Sequence, residues 1–220
     1  MTTWGFIGSG NIGSTVARLA LAAGHEVVMS NSRGPATLSD LVAQLGDHAR
    51  AATADDAATA DIVVVTIPLK HYRQVPDLSG KTVIDTMNYY PGRDGHIAEL
   101  TQGVPSSQFF QASVPQARVV KAFNNIFFQH LGALARPAGP DRSALPIASD
   151  DDRALAMVVS LLDEIGYDAV TMGPLQNSWR SEPDTPVYGI PYAADPDDWT
   201  AGARQAPSEE IASLVAAAAR

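Results

Sequence analysis

Three glycines spaced as Gly-x-Gly-x-x-Gly occur in Gly8-Ser9-Gly10-Asn11-Ile12-Gly13, directly after the apolar run Trp4-Gly5-Phe6-Ile7 and at the start of an amphipathic stretch. In that context the glycines have separate roles. Gly8 allows a tight turn, Gly10 lets the backbone approach a pyrophosphate, and Gly13 permits close contact between helix and strand. Free N–H groups and the positive end of the helix dipole would then face a doubly negative group. The chemistry this supports is dinucleotide binding; the alternative is a purely structural strand-to-helix turn.

The second signal is Ser30-Asn31-Ser32-Arg33. A site selective for NADH usually carries Asp or Glu here, to bind both ribose hydroxyls. A carboxylate would repel a 2'-phosphate, whereas hydroxyl, amide and guanidinium groups donate hydrogen bonds to it, Arg33 with the strongest charge-assisted geometry. The expected cofactor is therefore NADP(H). The alternative is a polar surface turn leading into Gly34-Pro35.

The elements that must position these residues follow from the apolar pattern. Ile12, Val16, Leu19, Ala20 and Ala23 share one helical face and Gly24 closes that helix; Glu26 to Ser30 forms a second strand; Leu38, Leu41, Val42 and Leu45 mark the next helix. Residues 62–67 form a continuous apolar run ended by Pro68, as expected of a central parallel strand. Further strands are predicted at Thr82–Asp85, Val119–Phe123, Leu145–Ser149 and Asp168–Met172, with a helix between Asp152 and Ile165. Asp150-Asp151-Asp152, which could suggest a cation site, lies where carboxylates cap a helix.

Strands alternating with helices predict an α/β chain with a doubly wound, mostly parallel sheet, the Rossmann arrangement. After Gly173 prolines punctuate the chain. The reading there is a nucleotide-binding domain over residues 1–186, then an irregular Pro-rich arm and a terminal helix from about Ser208 to Ala218, packed on the same domain or on a dimer partner.

Composition excludes several classes. A net charge of -9 and three lysines, Lys70, Lys81 and Lys121, argue against nucleic acid or an anionic membrane as partner. No apolar run reaches the roughly 18 residues a membrane span needs. Without cysteine there is no disulfide framework, thiolate nucleophile or zinc–thiolate site. The first strand candidate begins at Thr3, which leaves no room for a secretory leader, so a cytoplasmic homodimer acting on a small molecule is expected.

No general acid is legible. The chain has no Tyr-x-x-x-Lys pair, no Gly-x-Ser-x-Gly elbow and no His-Glu-x-x-His. His71 is the best functional histidine, with a packing role an equal alternative, and Tyr89 and Tyr90 could stack on a flat acceptor or fill a loop. Hydride transfer can proceed by proximity and water exclusion alone.

Five blocks, in order, carry a family resemblance: Gly8 to Gly13, Asn31-Ser32-Arg33, Thr66-Ile67-Pro68 with His71, Lys121 to Ile126, and Gly173-Pro174-Leu175 with Asn177-Ser178. Over residues 3–186 the chain resembles the NADPH-dependent reductases of the deazaflavin coenzyme F-420, whose domain also occurs in metalloreductases. The resemblance implies that Ser9, Asn11 and Ile12 contact the pyrophosphate, that Ser32 and Arg33 hold the 2'-phosphate, and that Ile67, with Pro68 in the same block, and His71 line the adenosine side. It further implies that Met87, Asn88 and Phe128 lie near the nicotinamide, with Asn124 in the same segment. The function implied is hydride transfer between NADPH and a second substrate, either the deazaflavin or a small carbonyl or imine. The alternative is an NADPH-binding sensor without chemistry. An open pocket lined by Asn88, Asn124 and Phe128 would support the enzyme; one plugged by Tyr89 or the arm would support the sensor.

Overall fold

The apolar strands at the centre of the chain dictate the architecture, because they must be covered on both faces. A computed structural model describes residues 1–219. Its sheet is built from β1 (Thr3–Ile7), β2 (Glu26–Ser30), β3 (Ala49–Ala51), β4 (Ile62–Val65), β5 (Thr82–Asp85), β6 (Arg118–Lys121), β7 (Ala144–Ser149) and β8 (Asp168–Thr171). The helices are α1 (Asn11–Ala22), α2 (Ser39–Leu45), α3 (Ala54–Ala58), α4 (Pro91–Asp94), α5 (Ala98–Thr101), α6 (Ser106–Ser113), α7 (Phe128–Leu134), α8 (Asp152–Glu164) and α9 (Ser208–Ala217).

The strand order is β3-β2-β1-β4-β5-β6-β7-β8, parallel throughout except between β6 and β7. The first six strands follow the doubly wound order, in which the winding reverses between β1 and β4 and opens a crevice at the carboxyl ends. β4 is buried along its whole length, as are Trp4 and Phe6 of β1. From the flanking helices, α1 buries Val16, Ala17 and Ala20, and α8 buries Val158, Leu161 and Leu162.

Most predicted elements appear within a residue or two of their expected bounds. β4 is shorter than the apolar run suggested: it ends at Val65, and Thr66 turns away to pack beneath Gly8 and Gly13. β3 was not expected; Ala-Arg-Ala is too short to show alternation and pairs only with the edge of β2. Asp151 does cap α8, accepting the Ala154 N–H at 2.8 Å, while the Asp150 side chain accepts from the Leu175 N–H at 2.9 Å.

The segment after residue 187 folds back on its own chain. The Gly189 N–H donates to the Asn125 carbonyl at 2.8 Å, the buried Tyr192 hydroxyl donates to the Ala144 carbonyl at 2.8 Å, and the Ala144 N–H donates to the Ala206 carbonyl at 2.9 Å. α9 then lies against β7 and β8, burying Ile211 and Val215. Arg180 donates to the carbonyls of Val215 and Ala218, supplying partners to the end of that helix.

A charged pair lies within the interior. Asp85 and Lys121 are register partners on β5 and β6, both fully buried, with Nζ 3.5 Å from Oδ2. Lys121 also donates to the Met87 carbonyl and, at 3.2 Å, to Ser106 Oγ; Asp85 accepts from the Ser107 hydroxyl at 2.5 Å and the Met87 N–H at 2.8 Å. Removing one partner of such a pair strands the other charge in the core. Lys121→Met is expected to lower the unfolding free energy by about 3–5 kcal/mol in urea titrations. The double variant with Asp85→Asn should recover part of that loss, since no uncompensated charge then remains.

Candidate functional site

The loops leaving the carboxyl ends of β1, β2, β4, β5 and β6 converge on the crevice. In the first, Gly8 holds φ +113°, and a Cβ there would stand 2.4 Å from the Thr66 carbonyl oxygen. A Cβ on Gly13 would meet Thr66 Cγ2 at 2.7 Å. Gly8 and Gly13 are thus required by the protein's own packing. Gly10 differs: a Cβ there meets nothing within 4 Å. The open space over Gly10 is a cradle that the fold itself does not fill. Below it α1 starts with no side-chain cap and no acidic residue in its first turn, so its N-terminal N–H groups and dipole face that space.

Two neighbouring pockets extend from this turn, sharing Gly10, Thr66, Ile67 and Pro68. The first, about 410 Å³, is walled by Gly8, Ser9, Asn31, Ser32, Arg33 and His71 together with Ile7, Ser30, Ala54 and Gln74. No carboxylate lines it, in a chain whose net charge is -9. Asn31 is committed to its own loop: Oδ1 accepts from the Arg33 N–H at 2.9 Å and Nδ2 donates to Thr37 Oγ1 at 3.0 Å. That bracing leaves the exposed side chains of Ser32 and Arg33 projecting from a fixed turn, and among the described residues neither has a protein partner.

The second pocket, about 350 Å³, is lined by Asn11, Ile12, Met87, Asn88, Asn124 and Phe128. The two asparagines Asn88 and Asn124 are buried and bonded to each other: Asn124 Nδ2 donates to Asn88 Oδ1 at 3.0 Å, and Asn88 Nδ2 donates to the Asn124 carbonyl at 2.7 Å. They clamp the loop after β5 to the loop after β6. Phe123, in that second loop, is held at φ 63°, a left-handed conformation that costs a bulky residue on the order of 1–3 kcal/mol and is kept where the surroundings over-determine it.

Every residue expected from the sequence to hold the cofactor therefore lies on one or other of these two pockets. The outer wall of the second is formed by Phe127, Trp199, Tyr188 and Arg93; the aromatic arm that carries Tyr188 and Trp199 was one expectation for the reacting end, whereas Phe127 and Arg93 were missed. Trp199 packs on Phe127 and Tyr188, with ring centroids 6.3 and 6.1 Å apart, and Gly189 must be glycine because a Cβ there would stand 2.0 Å from Trp199 Cη2. No sequence spacing signals this contact, which brings residue 199 beside residue 127. Of the two tyrosines after β5, Tyr90 lines the pocket, whereas Tyr89 is pinned away from it, donating to the Gly95 carbonyl at 2.7 Å and accepting from the Ile97 N–H at 3.2 Å. The pocket is not plugged by Tyr89; the arm forms one side of it and leaves the volume open.

The chain is similar to several known proteins. Residues 3–89 match the family described as NADP oxidoreductase, coenzyme F420-dependent. The crystal structure of a hypothetical protein, SMa0349 from Sinorhizobium meliloti, is 30% identical with a TM-score of 0.76, over 86% of this chain and 94% of that one. A candidate F420-dependent NADP-reductase from Arthrobacter sp. FB24 is 25% identical with a TM-score of 0.63, over 81% of this chain and 87% of that one. Protein YjhV of Escherichia coli K12 is 34% identical over 53 residues, a match that spans 24% of this chain and 39% of that protein.

Two substitutions separate the roles of this site. Gly10→Val places a branched side chain in the open cradle, so NADPH binding, followed by nucleotide fluorescence, should be lost while the thermal unfolding midpoint stays near that of the parent. If Arg33 reads a 2'-phosphate, Arg33→Asp exchanges attraction for repulsion there: NADPH affinity should fall by about 100-fold, the scale of one charge-assisted hydrogen bond, while NADH affinity changes little. Equal losses for both nucleotides would take Arg33 out of cofactor selection.

Proposed function

Because the chain belongs to the family of coenzyme F420-dependent NADP oxidoreductases, we propose that it is an NADP(H)-dependent reductase that passes a hydride to a small or planar acceptor, a carbonyl, an imine or a deazaflavin. The observation that carries this reading is the continuous groove formed by the two pockets over Gly10. One end offers unpaired cationic and hydroxyl groups and the other an aromatic-walled space. The donor set fits a 2'-phosphorylated dinucleotide: a cradle empty of side chain at the middle, an uncapped helix N-terminus beneath it, and Ser32 and Arg33 beside His71 at the end free of carboxylates.

When bound, the cofactor supplies a hydride equivalent at its nicotinamide ring. The residues of this chain do the rest. The N–H groups opening α1 hold the pyrophosphate, Ser32 and Arg33 the 2'-phosphate, and Ile67, Pro68 and His71 the adenosine side. Met87, Asn88, Asn124 and Phe128 shape the reacting end, where the Asn88–Asn124 clamp fixes the distance between two loops from different strands. Phe127, Trp199 and Tyr188 exclude water from the acceptor side, which both protects and orients a reacting pair. The second pocket is not closed off by Tyr89 or by the arm, which favours an enzyme over a sensor.

The test follows absorbance of the reduced nicotinamide with purified protein and a panel of oxidised deazaflavin, phenanthrenequinone and a cyclic imine. Protein-dependent loss of absorbance with at least one member of the panel is expected. Tight NADPH binding with no oxidation by any member would leave the sensor reading in its place.

A further inference from the structure

The reduction proposed above needs a proton as well as a hydride, and the acceptor pocket contains few groups able to give one. Among the described residues that line it there is no His, Asp, Glu, Lys or Cys. Arg93 keeps its proton under all ordinary conditions. Thr66 and Thr86 carry aliphatic hydroxyls, weaker acids than a phenol, and that of Thr86 donates to the Val65 carbonyl at 3.2 Å; the Trp199 indole N–H donates to the Pro196 carbonyl at 3.1 Å. The remaining acidic O–H groups on this wall are the phenols of Tyr90 and Tyr188, both half-buried and hydrogen-bonded to each other.

These two phenols come from distant parts of the chain. Tyr90 follows β5 at the carboxyl edge, and Tyr188 arrives on the C-terminal arm, held by the bonds from Gly189 N–H to the Asn125 carbonyl and from Asn125 Nδ2 to the Val187 carbonyl at 3.0 Å. The Arg93 guanidinium lies 4.7 Å from the centre of the Tyr90 ring and is itself fixed by Asp94, at 2.9 and 2.8 Å, and by the Asn88 carbonyl at 2.8 Å. Asn88 Nδ2 stands 3.5 Å from the Tyr90 oxygen. The Asn88 amide and the Tyr188 hydroxyl stand at the Tyr90 oxygen, where they can hydrogen-bond to the phenolate that proton donation leaves, and the guanidinium lies over its ring.

We propose that Tyr90 is the proton donor of the reaction, and that Tyr188 is a positioning residue whose O–H donates to the Tyr90 oxygen. The assignment rests on the reductase reading. The acceptor carbon of a C=O or C=N gains the hydride from the reduced nicotinamide, and the π electron pair moves onto oxygen or nitrogen. The Tyr90 O–H bond breaks as the new O–H or N–H bond forms. The phenolate left behind holds the Tyr188 hydrogen bond until solvent returns the proton. Burial, and then the bond to Tyr90, push the Tyr188 phenol above its ordinary value, so Tyr188 keeps the proton it donates with.

Tyr90→Phe keeps the ring and removes the acid, so the test compares two acceptors. Phenanthrenequinone needs a proton on oxygen when reduced; an N-methylated cyclic iminium already carries its charge and becomes a neutral amine by hydride alone. The expected result for Tyr90→Phe is a fall in quinone kcat on the order of 10²–10⁴-fold, with iminium reduction and NADPH affinity near the parent's. Tyr188→Phe should reduce quinone turnover by about 10- to 100-fold in the same selective way. In protein labelled with ¹³C at tyrosine Cζ, without acceptor, Tyr90→Phe should also shift the Tyr188 resonance, because its hydrogen-bond partner is gone. Equal losses on both acceptors, or an unchanged quinone rate, would overturn the assignment while leaving the reductase reading standing. An unmoved Tyr188 resonance would overturn the pairing. A parent protein that oxidises NADPH with neither probe would overturn this assignment, and the reductase reading with it only if oxidised deazaflavin also fails.

Discussion

The buried pair between Asp85 and Lys121 is the contact on which the reacting end of the molecule depends. Both side chains are fully buried at register partners on adjacent strands, a position that water cannot reach and that apolar residues would ordinarily occupy. Their charges are tolerated because hydrogen bonds from neighbouring groups surround them. Met87 contributes both its N–H, to Asp85, and its carbonyl, to Lys121, so the first residues beyond β5 are bound at two points. Ser106 passes the network on to Glu182, which accepts from its N–H and its hydroxyl at 2.6 Å each. A replacement by packed apolar residues could match the pair in stability, but it would not hold Met87 by both ends.

From that anchor the site is assembled by short, directional links between loops. Asn88 and Asn124 join the loops after β5 and β6, and Asn124 reaches the Ser181 carbonyl at 2.7 Å. Asn125 takes hold of Val187, and Gly189 of Asn125. The C-terminal arm is therefore attached to the floor of the pocket by backbone and amide bonds, and its aromatic side chains close the wall. Rigid attachment matters for hydride transfer, whose rate depends on holding two carbons near van der Waals contact.

Electrostatics divides the groove into two unlike ends. The chain is acidic overall, yet no carboxylate lines the nucleotide end, where the Arg33 side chain stands without a partner among the described residues. At the other end the charged residue on the wall, Arg93, is paired with Asp94, whose carboxyl group is raised by burial but lowered by more through hydrogen bonds from Arg93, the Tyr90 N–H and the Lys70 N–H, leaving it below the usual carboxylate range. The nucleotide end thus suits a phosphate and the other an uncharged ring.

By itself the sequence determined the fold class, seven of the eight strands in their order along the chain, the glycine turn and the absence of a carboxylate after β2. Each of these is local: a periodicity, a run of apolar residues, or a residue type at a fixed distance from a strand end, and local patterns survive in the sequence because short-range sterics impose them. The family resemblance extended that reading to Met87, Asn88, Asn124 and Phe128. Only the tertiary structure decided which of Tyr89 and Tyr90 faces the pocket, that Asn88 and Asn124 spend their amides on each other, and that Tyr188 and Trp199 form its outer wall. Those facts depend on side chains brought together from up to 98 residues apart, as in the Tyr90–Tyr188 contact. No spacing rule encodes such a meeting; it follows from the packing of the arm against β7 and the loop after β6, and that packing exists only once the sheet has formed.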